Sequence, residues 1–397
     1  MKSEKKTRHV LLCWEFGQGT GHVQILKAVG DRLRGQGCKV TYVLCSPSTG
    51  EAVGIASEDI RRGPGWPLKT VPGYGGHLLT SASYGDIFAQ MFLDVEGELD
   101  ERLGVWRKIV DDERPHLVIA DYAPGLSLAC HGRVPLVAIG NGYTLPPADL
   151  ATFPIIGGQS MKYREEDAVE RINRVLAAHK LRRIEKLPEI NRADHYCLLT
   201  YPVFDPYRKD RKDPWLGSPI APDIARSPAV GSSLFAYFYE KRQLDDRLLD
   251  GLAGSGLPGN AVFSMPIRRT AKRLAKADIE TPFGLLDLTE ELPNTGVLVH
   301  QGGLHTCCTG ALHGIPQVIV YTDQEKKIHA QALAERGAGF MLEWSDFTAG
   351  ELAGAIREAA RDETVRKAAR QLADEMAPFR KIKPVLEVAN VVSRFLG

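Results

Sequence analysis

The sequence predicts two α/β domains, each a parallel sheet covered by helices on both faces. Short apolar runs alternate with helical patterns along all 397 residues, a length that favours two or perhaps three domains. Apolar runs of this kind are typical of strands that are buried on both faces. The second half repeats the architecture of the first without repeating its residues, so each half is expected to form its own core.

The predicted strands form two sets. The first set is HVLLCWEF (9–16), CKVTYVLC (38–45), HLVIAD (116–121), PLVAIG (135–140) and HYCLLT (195–200), with a helix over about 22–36 after the first strand. The second set is SSLFAYFY (232–239), NAVFSMP (260–266), GVLVHQG (296–302), PQVIVYT (316–322) and AGFMLEW (338–344). Helical patterns follow over 349–376 and about 385–395, and Pro378 and Pro384 bracket the gap between them.

The best candidate for a connection between the halves is the stretch 201–228, where six prolines and a cluster of charges interrupt every periodic pattern. We expect an N-terminal domain over 1–205, a linker over 206–228, a C-terminal domain over 229–380, and a final helix over 381–397 that can pack back on the first domain. Two doubly wound domains joined in this way are expected to direct the carboxyl ends of their strands into a common cleft.

Composition limits the partners and the compartment. Apolar residues make up 44% and charged residues 25%, and 50 basic residues balance 49 acidic ones, which argues against nucleic acid as a partner. No segment approaches the roughly 18 apolar residues of a membrane span. The basic runs at 208–212, 268–273 and 380–383 are expected to be solvated faces, with membrane contact at most peripheral. Seven cysteines without a disulfide-like spacing favour a reducing, cytoplasmic setting.

The first candidate site is the turn after the first strand. Gly17, Gly19 and Gly21 resemble a dinucleotide fingerprint, but His22 occupies the position of the last glycine, and the next strand ends without an acidic residue. A nicotinamide cofactor is therefore not expected. His22 at a helix start is a candidate general base, and the alternative is a residue that caps or packs at the turn.

Asp121 ends the predicted strand HLVIAD, at the carboxyl edge of the first sheet. A carboxylate at this position could hold an imidazole in one tautomer and stabilise its protonated form. The alternative is an aspartate that caps the following loop.

The second candidate site lies in 296–324, where a strand leads through Gly302 and Gly303 into a helix. Such a turn presents backbone N–H groups and the positive end of the helix dipole, which favours a phosphate. Thr306 could add a hydroxyl. Asp323 and Gln324, after the next strand, have the acceptors and the amide donor for binding sugar hydroxyls, although Asp323 could equally cap a helix.

A metal centre is the less favoured interpretation of the same stretch. Cys307 and Cys308 lie near three histidines of this stretch, but adjacent cysteines at a helix start cannot easily share one tetrahedral ion.

Together these motifs resemble the bacterial UDP-glycosyltransferases of glycosyltransferase family 1, which have the GT-B fold of two Rossmann-like domains that face a central cleft. The resemblance covers nearly the whole chain and is strongest in 296–340. It implies that His22, in the Gly-His motif, is the catalytic base and that Asp121 is its partner. It also implies no cofactor beyond a nucleotide diphosphate sugar, which is a co-substrate, and no metal.

The chain departs from the family signature at the phosphate site. Gln301 replaces the phosphate-binding histidine, His300 lies one position earlier, and His305 replaces the last signature glycine. Gln301 can donate an amide N–H but carries no charge, whereas His305 could supply a cation or simply pack. The implied donor contacts are Gln301, Gly302, Gly303, His305, Thr306, Asp323 and Gln324, with His300 beside them.

The implied reaction is an inverting transfer from a UDP- or dTDP-linked sugar to a hydroxyl of a small, apolar natural product or a lipid. Acceptor contacts are expected near 66–92 and 141–154, where aromatic residues mix with glycine and proline. The expected contacts are Gly21, Tyr84, Phe88, Asn141 and Tyr143, although both segments could be ordinary packed loops. The alternatives are a catalytically silent nucleotide-sugar-binding auxiliary protein and a sugar-nucleotide epimerase.

Overall fold

The computed structural model describes residues 7–17, 19–65, 81–156, 160–219, 232–238, 242, 244–263, 267–282 and 288–397. The chain divides into two compact units. The first contains Met1–Pro219 and Ile382–Gly397, and the second contains Ile220–Lys381.

Each unit contains a six-stranded parallel sheet, which confirms the two predicted α/β folds. The first sheet has the order β3-β2-β1-β4-β5-β6, with β1 His9–Trp14, β2 Lys39–Leu44, β3 Ile60–Arg62, β4 Leu117–Asp121, β5 Leu136–Gly140 and β6 His195–Leu198. The second has the order β12-β11-β10-β7-β8-β9, with β7 Leu234–Phe238, β8 Gly259–Phe263, β9 Ile279–Glu280, β10 Val297–His300, β11 Gln317–Tyr321 and β12 Gly339–Glu343.

The helices cover both faces of the two sheets. In the first half they are α1 Gly21–Gly35, α2 Pro47–Ala52, α3 Tyr84–Phe92, α4 Glu98–Glu113, α5 Pro124–Cys130 and α6 Glu165–Ala178. In the second half they are α7 Asp246–Gly254, α8 Arg268–Leu274, α9 Leu288–Glu291, α10 Leu304–His313, α11 Gln324–Ala334, α12 Ala349–Arg361, α13 Glu363–Met376 and α14 Pro384–Leu396. Within the described residues, no helix is both long and apolar enough to cross a membrane.

The strand order places the end of β1 at a switch point of the first sheet. The chain proceeds outward from β1 through β2 and β3, then returns to add β4 on the other side of β1. Trp14 at the end of β1 therefore lies in register with Asp121 at the end of β4. Loops that leave such a point diverge and open a crevice, which is where ligands bind in open α/β sheets.

The two short edge strands, β3 and β9, were not predicted. Each has too few residues for a period-two pattern to stand out. The helical pattern over 349–376 is two helices, because Asp362 leaves the helical conformation and its carboxylate accepts from Thr364 N (2.7 Å) to cap α13.

The predicted linker begins too early. Residues 206–219 lie in the first unit, and one charged pair of this stretch, Asp205–Arg211, is buried. The Arg211 guanidinium lies 2.7 Å from the Asp205 carboxylate and also donates to Gly142 O (3.0 Å). Trp215 donates to the same carboxylate (2.9 Å) and bridges to Leu198 of β6. The rest of the predicted linker, 220–228, lies outside the described residues.

The final helix, α14, lies with the first unit. Its apolar face contributes to the core beneath β1 and α1, with Val388, Ala389 and Val392 all fully buried beside Leu33. Pro384 starts the helix at a position where proline leaves no intrahelical hydrogen bond unmade.

Candidate active site

His22 is positioned by a glycine turn between β1 and α1. Gly17 and Gly19 have φ angles of +101° and +79°, a left-handed conformation that favours glycine. The chain therefore reverses quickly after Trp14 and starts α1 at Gly21, so that His22 is the second residue of the helix. The turn was predicted from its glycines, and the structure shows that two of them are needed for backbone geometry.

The structure brings His22 and Asp121 together, although 99 residues separate them in the chain. Nδ1 of His22 lies 3.0 Å from Oδ1 of Asp121. The imidazole side chain is 19% exposed and the carboxylate only 2%. Because a carboxylate only accepts hydrogen bonds, Nδ1 carries the proton and donates, which leaves the lone pair on Nε2. This arrangement can accept a proton at Nε2 and stabilise the resulting imidazolium.

Close packing fixes the plane of the His22 ring. The Trp14 indole stacks on the imidazole, with ring centroids 5.8 Å apart and an interplanar angle of 19°. On the Nε2 side lies Gly17, where an added Cβ would be 2.6 Å from Nε2. Only glycine therefore permits both the backbone angle and the close approach of the turn to the reactive nitrogen.

A buried acid that the sequence analysis did not assign to the site connects the end of β1 to helices α4 and α5. The Glu15 carboxylate, fully buried, accepts from Arg102 Nη1 (3.2 Å), Trp106 Nε1 (3.0 Å) and Gly125 N (2.8 Å). Burial raises the pKa of Glu15, and Arg102 opposes that shift. A charged residue that ends an apolar strand run was the available signal, but its partners lie 87 to 110 positions away.

The predicted acceptor residues are mostly packed inside the first unit. Tyr84 and Phe88 are each 2% exposed and Tyr143 is 4% exposed, so the structure corrects the prediction that they form an accessible wall. Tyr84 donates to Asn191 Oδ1 (3.2 Å). The Asn141 carboxamide accepts from Thr144 N (2.8 Å) and so holds the turn after β5.

Two residues, Tyr122 and Gly21, lie next to His22, and Tyr122 also lies next to Tyr84 of the acceptor segment. The Tyr122 ring lies 6.1 Å from the His22 ring and 6.1 Å from the Tyr84 ring. Gly21 is the first residue of α1 and precedes His22 directly. Tyr122 was missed by the sequence analysis, and its left-handed φ of 45° marks a strained position next to Asp121. Residues 66–80 of the predicted acceptor segment lie outside the described residues.

The second predicted site has the expected strand–turn–helix form. Gly302, with a φ of +92°, follows β10, and Gly303 is the N-terminal boundary residue of α10. Cys307 N donates to Gly303 O (3.0 Å), which is the first bond of the helix ladder. The N–H groups in the first turn of a helix point away from the intrahelical ladder, and such groups can bind an anion. Gln301 and His305 are half-buried beside this turn, and Thr306 is 8% exposed.

His300 does not reach this surface, which corrects its assignment as a donor contact. The imidazole is fully buried, and its Nε2 lies 2.9 Å from Gln317 Oε1. Its Nδ1 accepts the N–H of Gly302 (3.1 Å). Burial, opposed by the bond with Gln317, lowers the pKa of His300 to about 4, so the ring is neutral near pH 7. Both nitrogens are thus engaged inside the unit.

Asp323 acts as a helix cap, as the alternative interpretation held. Its Oδ1 accepts from Lys326 N (3.0 Å), and its Oδ2 pairs with Lys326 Nζ (2.7 Å). The neighbouring Gln324 is 1% exposed at the start of α11. The sequence did not predict that Lys326 would lie beside this carboxylate.

The cysteines of α10 are buried thiols. Burial raises the pKa of Cys307 and Cys308 well above the ordinary value, so both stay protonated. Among the residues that the structure describes, no group of three or more His, Cys, Asp or Glu side chains is arranged to hold a metal ion.

Comparison with known proteins finds a similarity in the second half of the chain. Residues 281–392 match the family model of the erythromycin biosynthesis protein CIII-like C-terminal domain. This segment is therefore similar to that domain. It contains the Gly302 turn, α10 and the Asp323–Gln324 pair, so the stretch with the strongest predicted resemblance is the stretch that the family model matches.

Curated relatives of this chain are bacterial glycosyltransferases. It is 34% identical over 177 residues to the erythronolide mycarosyltransferase of Saccharopolyspora erythraea, which covers 38% of this chain and 41% of the relative. With the tylactone mycaminosyltransferase of Streptomyces fradiae it shares 35% identity over 85 residues, 21% of this chain and 19% of the relative. The chain thus spans less than half the length of these first curated relatives.

Solved structures are similar to this chain over nearly its whole length, and at their low sequence identity this similarity shows the fold alone. The glycotransferase of kitacinnamycin superposes with a TM-score of 0.70 at 17% identity and covers 99% of this chain and 100% of its own. The match confirms the GT-B fold that the sequence analysis expected.

Proposed function

We propose that the chain transfers a sugar from a nucleotide diphosphate sugar to a hydroxyl group of a small-molecule acceptor, with inversion at the anomeric carbon. The observation that carries the proposal is the His22–Asp121 pair, because its geometry leaves a polarised imidazole nitrogen at the carboxyl edge of a parallel sheet. The glycosyltransferase names of the curated relatives favour the same reaction class.

His22 acts as the general base in this proposal. Nε2 accepts the proton of the acceptor hydroxyl, and Asp121 stabilises the imidazolium through the bond at Nδ1 (3.0 Å). The acceptor oxygen attacks the anomeric carbon as it loses its proton, while the bond between that carbon and the diphosphate breaks on the opposite face. The diphosphate leaves with the bonding electron pair. A positioned base of this kind contributes about 10²- to 10⁴-fold to the rate.

The start of α10 takes up the charge on the departing diphosphate. A helix N-terminus stabilises an anion by about 0.3 to 1 kcal/mol, and by about 2 kcal/mol when the site is partly buried. The half-buried side chains of Gln301 and His305 flank the turn, and Thr306 offers a hydroxyl. Since these donors need no bridging ion, we propose a metal-independent reaction.

Asp323 and Gln324 are the proposed contacts of the donor sugar. They begin α11, and Gly302 packs against the same helix, where an added Cβ would lie 3.1 Å from Lys326 Cβ. The sugar would thus be bound next to the phosphate turn. Lys326 pairs with the Asp323 carboxylate, whose oxygens can accept hydrogen bonds from sugar hydroxyls.

The proposed donor carries UDP or dTDP, and the proposed acceptor is a natural product or lipid that is largely apolar. The name of the Saccharopolyspora relative indicates that it acts on erythronolide. The half-buried aromatic ring of Tyr122 beside His22 suits an acceptor with an apolar body and a hydroxyl at the reacting end.

The test begins with a thermal-shift screen of the wild-type chain against UDP-, dTDP- and GDP-linked sugars. The best donor is then incubated with hydroxyl-bearing macrolide aglycones, and the nucleoside diphosphate and the glycoside are both quantified. Equimolar diphosphate and inverted glycoside are expected. Donor binding without diphosphate release for any acceptor would instead indicate the auxiliary protein, and a changed sugar nucleotide in the absence of acceptor would indicate the epimerase.

A further inference from the structure

Two buried histidines hold one residue of the phosphate turn from both sides. The N–H of Gly302 donates to Nδ1 of His300 (3.1 Å), and the carbonyl of Gly302 accepts from Nδ1 of His329 (2.9 Å). His300 ends β10, whereas His329 lies in the middle of α11. The pair, His300 and His329, is referred to below as the Gly302 clamp.

The partners of the Gly302 clamp fix its protons. Because Nδ1 of His300 accepts from a backbone N–H, its ring proton lies on Nε2, which donates to Gln317 Oε1 (2.9 Å). Because a carbonyl can only accept, Nδ1 of His329 must carry a proton. In their neutral forms the two rings are therefore opposite tautomers. An imidazolium at His300 could no longer accept the Gly302 N–H.

The clamp is tied to helix α10 as well as to the turn. Gln317, which accepts from His300, directs its own amide Nε2 to the carbonyl of Cys307 (3.0 Å) in the first half of α10. His300 and His329 are 0% and 1% exposed, so each lost hydrogen bond would leave a buried group unsatisfied. The backbone of Gly302 is thus linked through two side chains to the helix whose first turn it precedes.

No other residue type can replace Gly302 in this arrangement. Its φ is +92°, and an added Cβ would lie 2.9 Å from Ile319 Cγ2 and 3.1 Å from Lys326 Cβ. The turn is therefore confined by side chains of β11 and α11 and held by hydrogen bonds at both its N–H and its carbonyl. Such a rigid backbone is what an anion site needs, since preorganised N–H groups require no rearrangement on binding.

We propose that His300 and His329 are positioning residues that fix the Gly302 turn and so direct the first turn of α10 at the diphosphate of the donor. The role rests on the proposed function, because it assumes that a nucleotide diphosphate binds at this turn. Neither ring touches the ligand. Each acts through one backbone group of Gly302.

The experiment replaces each histidine by an amide that retains only one of its nitrogen positions. Asparagine places its amide group near Nδ1, and glutamine places its amide group near Nε2. We expect His300→Asn and His329→Asn to keep the dissociation constants of UDP or dTDP within about threefold of wild type. His300→Gln and His329→Gln should raise the constant of the nucleotide that binds by at least about tenfold, or about 1.4 kcal/mol, since a bond to Gly302 is lost.

His313→Gln is the matched control, because this buried imidazole of α10 has no hydrogen-bond partner among the described residues. It should change the melting temperature without changing the nucleotide dissociation constant. If the clamp has a merely structural role, all four clamp variants should behave like this control, with a changed melting temperature and an unchanged nucleotide dissociation constant. Equal nucleotide affinities for the Asn and Gln variants would overturn the positioning role alone, whereas a wild-type chain that binds neither nucleotide would overturn the proposed function and this role with it.

A measurement on the wild-type protein tests the clamp even where a variant fails to fold. Ring nitrogen chemical shifts distinguish the two imidazole tautomers near neutral pH. The proton is expected on Nε2 of His300 and on Nδ1 of His329. The same tautomer at both residues would contradict the clamp geometry.

Discussion

The turns at Gly17 and Gly302 have the same local architecture and use histidine in opposite ways. Each leads from a central parallel strand to a helix through a glycine with a left-handed φ, and each has a histidine within a few residues. At the first turn the ring of His22 is partly exposed, and the Asp121 carboxylate bonds to its Nδ1. At the second the ring of His300 is fully buried, and both nitrogens bind the protein.

The difference shows that burial and the nature of the partner decide what a histidine does. A carboxylate at Nδ1 favours protonation of the ring, so His22 is suited to take up a proton during a reaction. Burial against an amide favours the neutral ring, so His300 is suited to hold a backbone in place. In the proposed function the first turn therefore supplies a reactive side chain, and the second supplies main-chain N–H groups that its histidine positions.

The comparison is tested most directly by His22→Ala. We expect the turnover number to fall by about 10²- to 10⁴-fold, because the base is lost. Binding of the nucleotide should stay nearly unchanged, since His22 belongs to the first unit and the phosphate turn to the second. Steady-state kinetics and calorimetry of the nucleotide provide the two readouts. Full activity in this variant would end the base assignment.

The buried ring of His300 should instead affect the free energy of unfolding at low pH. Its pKa falls from 6.5 to about 4 on folding, and at about 1.4 kcal/mol per unit this corresponds to roughly 3 kcal/mol. The unfolded chain binds the proton first, so this contribution is complete above pH 6.5 and is lost as the pH falls toward 4. His300→Asn removes the titrating ring and should flatten the pH dependence of the free energy of unfolding. Urea unfolding at pH 7.5, 6 and 5 measures it, and parallel curves for the two proteins would contradict the buried neutral ring.

Asp121→Asn tests whether the carboxylate is what makes His22 a base. An asparagine amide can donate to Nδ1, which moves the ring proton to Nε2 and removes the acceptor of the substrate proton. We expect the turnover number to fall by about a hundredfold with little change in the Michaelis constant of the donor. A loss below about threefold would show that Asp121 only caps its loop.

Gly17→Ala tests the close approach of the first turn to His22. The new Cβ would lie 2.6 Å from Nε2, so we expect about a tenfold loss of activity on top of a strain cost of about 1 to 3 kcal/mol. Gly19→Ala is the matched control, because it has a similar positive φ and no atom within 4 Å of its added Cβ. Both should lower the melting temperature, and only the Gly17 variant should lose activity. Equal activity in the two variants would show that the ring can move aside.

The smallest effect is expected at Asp323, where two roles overlap. Asp323→Asn retains a side chain that caps helices well, so the melting temperature should change little. If the carboxylate also binds the sugar, the sugar nucleotide should weaken severalfold more than the free nucleotide, whereas Asp323→Ala should also cost about 0.5 to 2 kcal/mol of stability. Competitive binding of the two ligands measures the difference. Equal weakening of both would place the contact somewhere other than on the sugar.

Much of the fold could be predicted because its signals are local. Each of the ten predicted strands coincides with an apolar run that can be recognised within a few residues, and both glycine turns stand directly after such runs. The short edge strands β3 and β9 could not be predicted, since two or three residues carry no periodic pattern. The linker was placed too early because the sequence does not distinguish a buried Asp–Arg pair, such as Asp205–Arg211, from a solvent-exposed one.

The candidate site was predictable as a set of residue types and not as a set of contacts. His22 and Asp121 were candidates because each follows a strand, but their 3.0 Å bond depends on the order in which β1 and β4 join the sheet. His300 was assigned to the donor because it lies beside the signature glycines, and only its burial shows that it faces inward.

The sequence alone determined the two-domain α/β architecture and the positions of the two glycine turns, because strand periodicity and glycine conformations are properties of short segments. The tertiary structure decided which histidine meets a carboxylate and which is buried among amides. It also decided that Glu15 meets Arg102 across 87 residues and that His329 binds Gly302 across 27. Those pairings depend on how strands and helices pack, and burial in the second unit keeps the His300 ring neutral near pH 7.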